Sequence, residues 1–97
     1  AQAMWEKMQY DENGQPITST FMDYLIPAAS EIPAFTSSRT TTPTPNNSLG
    51  AKGIGESGSV GAPPAVVNAA VDAVSHLGVR HIDMPVTPEK LFGILHG

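Results

Sequence analysis

The side chain best placed to do chemistry in this 97-residue chain is Glu56. It lies in the stretch GAKGIGESGSVG (residues 50–61), flanked on both sides by glycines. Glycines cover nothing, so the backbone of such a ribbon can lie close against a ligand. Free N–H groups at a loop-to-helix junction favour anionic ligands. A carboxylate held there and shielded by apolar surroundings has its pKa pushed up toward the range of a general base. The competing reading is a turn with a solvated glutamate, and the residues alone leave both open. The histidines His76, His81 and His96 fit no tight metal spacing such as HExxH. His76 falls at the end of a helical stretch, where a cation favours the helix dipole. The chain has no cysteine, which excludes disulfides and thiolate-held metal or iron–sulfur sites within it. No GxSxG marks a serine nucleophile.

Gly53 to Gly58 matches GxGxxG, and Val60 extends it to GxGxxGxV. A dinucleotide-binding fingerprint follows a strand and opens a helix within the motif. Here the preceding residues are TPTPNNSLGAK, and the helix is expected to begin only near Pro63 and Pro64. A protein-kinase loop needs a lysine strand and a metal-binding aspartate further on, which the chain does not contain.

Three stretches must position the ribbon. Residues 1–35 read as a helix, a hairpin and a short helix. Met4, Trp5 and Met8 share one face of the first piece, which has no N-terminal cap. Asn13-Gly14 favours a type I′ turn, joining Met8–Tyr10 to Ile17–Thr20. Phe21, Tyr24 and Leu25 have helical spacing before Pro27, with Asp23 as a solvated or capping carboxylate. Residues 36–50 read as an extended Ser/Thr/Pro connector, in which Thr40–Thr42 could form an edge strand. Asn46-Asn47-Ser48 fits the N-glycosylation pattern, but no secretion signal accompanies it. Residues 51–97 hold the ribbon, a long helix and a strand–helix tail. Pro63 and Pro64 suit a first turn, and Gly78 suits a left-handed stop. Val66, Ala70, Val74 and Leu77, with Val67 and Val71, form an apolar stripe. Ala62, Ala65, Ala69 and Ala73 form a second stripe of small residues that lets another backbone come close. A helix of this kind is expected to be buried, yet so short a chain cannot bury it alone. Val79–Met84 is strand-like. Thr87 and Pro88 then open a helix whose Leu91, Phe92 and Leu95 should face inward.

The expected fold class is α+β: a short hairpin-bearing sheet with one long buried helix and short flanking helices, part of a larger cofactor-binding domain. Five Lys and Arg against nine Asp and Glu give a net charge of −4. The basic residues are scattered singly, which argues against nucleic acid as a partner. No apolar run is long enough to span a membrane. Residue 1 is Ala, so the chain reads as a processed product or one piece of something larger.

Thr44-Pro45-Asn46-Asn47 followed by Leu49-Gly50-Ala51-Lys52-Gly53-Ile54-Gly55-Glu56 resembles the C-terminal signature of the molybdenum hydroxylases, the xanthine dehydrogenase, aldehyde oxidase and aerobic carbon monoxide dehydrogenase family. The resemblance continues through Gly61, Pro64, Asn68 and Ala69 to Asp83-Met84-Pro85-Val86-Thr87-Pro88. Upstream it takes in Tyr10-Asp11, Gly14-Gln15-Pro16, Phe21-Met22-Asp23-Tyr24 and Ile26-Pro27, so it covers essentially the whole chain. It implies that Glu56 is the general base at a molybdenum–molybdopterin centre, the pterin in its cytosine dinucleotide form. It implies that Lys52, Gly53, Gly55 and Ser57 line that cofactor. It also implies a cytoplasmic oxidoreductase in which electrons leave through iron–sulfur clusters and FAD on partner chains or domains. The substrate would be an aldehyde, an N-heterocycle or a similar small molecule. The family's molybdenum-binding subunit is several times longer, so the remainder of that subunit and iron–sulfur and flavin subunits are the expected partners. Alone, the chain would be inactive. The alternative is a non-catalytic interaction domain whose helix docks on a partner, or an inactive isolated fragment.

Overall fold

The computed structural model describes residues 1–97. In chain order it holds a 3₁₀ turn at Ala29–Glu31, helix α1 at Ser57–Ala73, a 3₁₀ turn at Ser75–Leu77 and helix α2 at Pro88–His96. The core lies where the second half of α1 meets the segment after it and α2. Val74, Ile82 and Val86 are buried there, with Val67, Val71, Leu91 and Ile94 packed against them. Gly78 stops the helical stretch in the left-handed conformation at φ 83°, as the sequence predicts. Thr87 caps α2 by accepting a hydrogen bond from the Lys90 N–H at 3.3 Å, and Pro88 opens the helix where its missing N–H costs nothing.

The sheet of the expected α+β fold is absent. The only strand-like pairing is one antiparallel bridge, Tyr10 to Pro16. The hairpin itself forms, closed by Asp11 N–H to the Gln15 carbonyl and Ile17 N–H to the Gln9 carbonyl, both 2.9 Å. It does not propagate, for two local reasons. Pro16 has no N–H to donate. The Gln9 N–H, which a ladder would pair with backbone, goes instead to the Thr18 hydroxyl at 2.9 Å. The turn is also not type I′, since Gly14 has φ 79° but no non-glycine residue has positive φ. Asp11 organises it, its Oδ1 accepting from Asn13 N–H at 2.9 Å and Gln15 N–H at 2.8 Å. The strand-like residues 79–84 likewise find no neighbouring strand. Just beyond them, the Val86 N–H donates to the Ala3 carbonyl at 2.7 Å and ties the tail to the first segment.

Other expectations change as well. Residues 1–10 make a single turn, in which Trp5 and Glu6 donate to the Ala1 carbonyl, and not a helix. Residues 20–24 also form one turn, with the Thr20 hydroxyl donating to Asp23 Oδ2 at 3.0 Å. Helix α1 starts at Ser57, six residues before the prolines, so Pro63 and Pro64 lie inside it. Neither can donate, which leaves the carbonyls of Ser59 and Val60 without helical partners. Both of those residues are exposed, so water can take the carbonyls. On α2, Leu91 and Ile94 face the core, while Phe92 and Leu95 are exposed and Phe92 stacks on His96 with ring centroids 4.2 Å apart.

The long helix is not buried by this chain. Pro63 is its one buried residue, and the small-residue face at Ala62, Ala65, Ala69 and Ala73 is open. The accessible surface is 7963 Å². A compact monomer of this mass has about 5,300 Å², roughly 2,600 Å² less. The radius of gyration is 17.9 Å, against about 12.5 Å for a compact chain of this length. Phe21 and Met22, 81% and 91% exposed, are part of that surplus.

Candidate functional site

The ribbon between the connector and α1 is built from its two ends. At the entrance, the Thr44 N–H donates to the Gly50 carbonyl at 3.1 Å and the Gly50 N–H to the Asn47 carbonyl at 3.1 Å. Gly50 takes φ +67°, and a Cβ there would stand 2.7 Å from Pro43 Cβ. Glycine is therefore required on both conformational and steric grounds. At the exit, the Ile54 carbonyl accepts from both the Ser57 N–H at 3.1 Å and the Ser57 hydroxyl at 2.8 Å. That double bond to one carbonyl fixes the turn through Gly55 and Glu56 into the first residue of α1.

Between the ends the backbone is unpaired. The N–H groups of residues 52 to 56, and that of Gly58, donate to no acceptor in this chain. Added Cβ atoms at Gly53, Gly55, Gly58 and Gly61 would meet nothing within 4 Å. A run of free amides with open space before it is a donor set suited to an anionic group that approaches the main chain closely.

The candidate residues sit as follows. Glu56 is the N-cap of α1 at φ −100°, ψ 0°, exposed, and its carboxylate caps nothing. Gly53, Gly55, Glu56 and Ser57 are brought together, with Ile54 and Val60, around an open concavity of about 350 Å³. Lys52 is exposed, does not line that concavity and forms no ion pair. The Ser57 hydroxyl proton is committed to Ile54, which leaves its oxygen to act as an acceptor. The apolar cover expected over Glu56 is not supplied by these 97 residues, because every residue from 51 to 62 is exposed. The start of α1 at Ser57 also places a helix opening inside the GxGxxG stretch. One ground for setting aside a dinucleotide fingerprint therefore falls. The other stands, since no strand precedes the motif.

The histidines form no cluster, and no group of three or more His, Asp or Glu could hold a metal ion. The His81 ring instead pairs with Asp83 Oδ1 at 2.8 Å, both exposed. That hydrogen bond, with the nearby His81 and Lys90 charges, holds the Asp83 carboxyl below its ordinary range. The Tyr24 hydroxyl donates to Glu6 Oε2 at 3.0 Å, and the carboxylate pushes the phenol above its ordinary value. Sequence reasoning missed Asn47 as a builder of the site. Its side chain bonds the main chain of Leu49 and Ala51. The available signal was an Asn followed three residues later by Gly, a side-chain-closed turn.

Residues 1–33 match the family model described as "Molybdopterin cofactor-binding domain". The chain is 42% identical over 92 residues to the carbon monoxide dehydrogenase large chain of Hydrogenophaga pseudoflava, covering 95% of this chain and 12% of that one. It is 44% identical over 96 residues to the 6-hydroxypseudooxynicotine dehydrogenase complex subunit gamma of Paenarthrobacter nicotinovorans, covering 98% and 12%. Among solved structures it superposes on a Cu,Mo-CO dehydrogenase with TM-score 0.86 and 40% identity, over 95% of this chain and 12% of that one. It superposes on quinoline 2-oxidoreductase from Pseudomonas putida 86 with TM-score 0.85 and 42% identity, over 97% and 12%. The chain thus spans 12% of the length of the relatives it matches. At this identity, and with both sequence and shape matched almost end to end, the chain belongs to the molybdenum hydroxylase family, as a segment of its molybdopterin-binding large subunit.

Proposed function

We propose that this chain is the part of a multisubunit molybdenum-dependent oxidoreductase that presents a general base, Glu56, to a small substrate at a molybdopterin centre. The observation that carries the reading is the ribbon itself: free main-chain amides from residue 52 to 56, no side chain in front of the glycines, and a carboxylate at its end with no partner of its own. The amides of Gly53 and Gly55, the Ser57 oxygen and the Lys52 ammonium are the groups that would hold the anionic parts of the cofactor, in its cytosine dinucleotide form. When bound, the molybdenum centre supplies two-electron oxidation of the substrate carbon. The task of this chain is acid–base: Glu56 accepts the proton lost by the attacking oxygen on its carboxylate. Cover by neighbouring polypeptide would exclude bulk water from that carboxylate as it takes the proton.

That cover comes from outside these residues. The surplus of roughly 2,600 Å² is the size of surface that obligate assemblies bury, and the remainder of the large subunit is the partner that fits it. Iron–sulfur and flavin subunits would carry the electrons onward. No helix is long and apolar enough to cross a membrane, and a cytoplasmic enzyme is the setting we assign. An N-heterocyclic substrate is supported by relatives whose names include nicotine 6-hydroxylase and quinoline 2-oxidoreductase, and an aldehyde is the other class the family resemblance implies. The test is to isolate the assembled complex containing this segment and measure molybdenum by elemental analysis. Close to one molybdenum per large subunit supports the reading. A metal-free preparation without a larger partner contradicts it and favours a non-catalytic interaction domain.

A further inference from the structure

We propose that Asn47 is a positioning residue for the ribbon that presents Glu56. Its catalytic consequence rests on the function proposed above, while the anchoring stands on local geometry. The Asn47 side chain makes three hydrogen bonds to main chain. Its Nδ2 donates to the Ala51 carbonyl at 2.9 Å. Its Oδ1 accepts from the Leu49 N–H at 3.1 Å and from the Ala51 N–H at 3.0 Å. One amide group thus holds both polar groups of Ala51, as a neighbouring strand would, in a fold that has no strand to offer. The next five residues donate no backbone hydrogen bond, so Ala51 is the last fixed point before the Ser57 turn. Glu56 itself is also held by α1, its carbonyl accepting from the Ser59 N–H at 3.0 Å and the Val60 N–H at 3.1 Å, so the path of the ribbon into it is set by Ala51 on one side and by the start of α1 on the other.

The side-chain length is specific. Asparagine's single methylene closes short rings to the main chain two and four residues on. Glutamine has the same head group one methylene further out, while aspartate keeps the acceptor and lacks the donor. The loop is tight enough to depend on this closure, since Gly50 lies against Pro43 with no room for a Cβ. A shift of about 1 Å at a reacting group is enough to cost about a hundredfold in rate.

The test uses the holoenzyme that carries this segment, with Asn47→Ala, Asn47→Gln and Asn47→Asp beside the parent and Glu56→Gln. Hydrogen exchange is followed by mass spectrometry on peptides covering residues 45–58, together with kcat, KM and molybdenum content. Exchange at Leu49 and Ala51 should speed at least about fivefold in the Ala and Gln variants, the scale of one lost net hydrogen bond. Their kcat should fall about a hundredfold, with KM and molybdenum content little changed. Asn47→Asp should keep the exchange protection, because its oxygen still accepts both N–H groups. Unchanged exchange in Asn47→Ala overturns the anchoring. Should the Ala and Gln variants fail to assemble, loss of protection in Asn47→Asp overturns it instead. Accelerated exchange with kcat unchanged, while Glu56→Gln loses turnover, overturns the positioning role and leaves the base intact. A silent Glu56→Gln overturns the base reading, and with it the catalytic part of this proposal.

Discussion

Expressed alone, this chain should not hold the conformation described here as a cooperative unit. Its folded surface is 7963 Å². The extended chain of the same mass exposes about 14,800 Å², so folding hides just under half of it, where a compact monomer would hide about 64%. The central cluster holds three buried apolar side chains, Val74, Ile82 and Val86, of which only Val86 is fully buried. Large apolar side chains such as Phe21, Met22, Phe35 and Leu49 stay more than three-quarters exposed. A core that small cannot offset the chain entropy of the connector and the ribbon, which together make few internal bonds. The assay is small-angle scattering with calorimetry on the isolated 97-residue chain. The radius of gyration should lie at or above 17.9 Å, between the compact value of about 12.5 Å and the unfolded value of about 31 Å. The calorimetric trace should show no sharp endotherm. A monomer with a radius near the compact value and one two-state transition would refute the reasoning, because the helix would then need no outside cover.

Two other expectations follow from single positions. Gly50→Ala and Gly14→Ala both force a Cβ into positive φ, at +67° and +79°, a backbone cost of about 1–2 kcal/mol each. Gly50→Ala also overlaps Pro43 while Gly14→Ala meets open space. Thermal denaturation of the assembled protein should therefore show Gly50→Ala as clearly the more damaging, and equal losses would count against the tight loop. Asp83 should titrate below its ordinary value by NMR, and His81→Ala should move it back up. Because its folded pKa is depressed, its contribution is complete above the unfolded pKa and is lost as pH falls through the lowered folded one. An unmoved Asp83 titration in that variant would remove the His81 hydrogen bond as the cause.

Features that depend on a few neighbouring residues were legible before any coordinates. Gly78 stops the helical stretch, Thr87 caps α2 ahead of Pro88, and Val67, Ala70, Val71 and Val74 of the expected stripe face the core, while Val66 lies outside the core cluster and Leu77 is exposed. Features decided by competition between partners were not. The hairpin was readable from Asn13-Gly14, but not that the Thr18 hydroxyl would take the Gln9 N–H and end the ladder after one bridge. The prolines argued for a helix start at residue 63. The double bond from Ser57 to Ile54 starts it at residue 57 instead. The expected burial of α1 is not met within these 97 residues, which bury one residue of that helix, because apolar patterning says that a face should be covered and not what covers it. At the site, the glycine spacing around Glu56 was visible in the sequence, and its chemical meaning came through resemblance. Asn47 was read only as part of the family motif, because an Asx closure leaves no trace in the hydrophobic periodicity, although the Gly three residues later marks such a turn.

The central claim is that Glu56 removes a proton during turnover. Glu56→Gln keeps the side chain's size and hydrogen-bonding capacity while abolishing its basic oxygen. The direct measurement is kcat of that variant in the assembled enzyme, with molybdenum content determined on the same preparation. Turnover should fall at least about a hundredfold with the metal fully retained. Unchanged turnover at full metal content would contradict it.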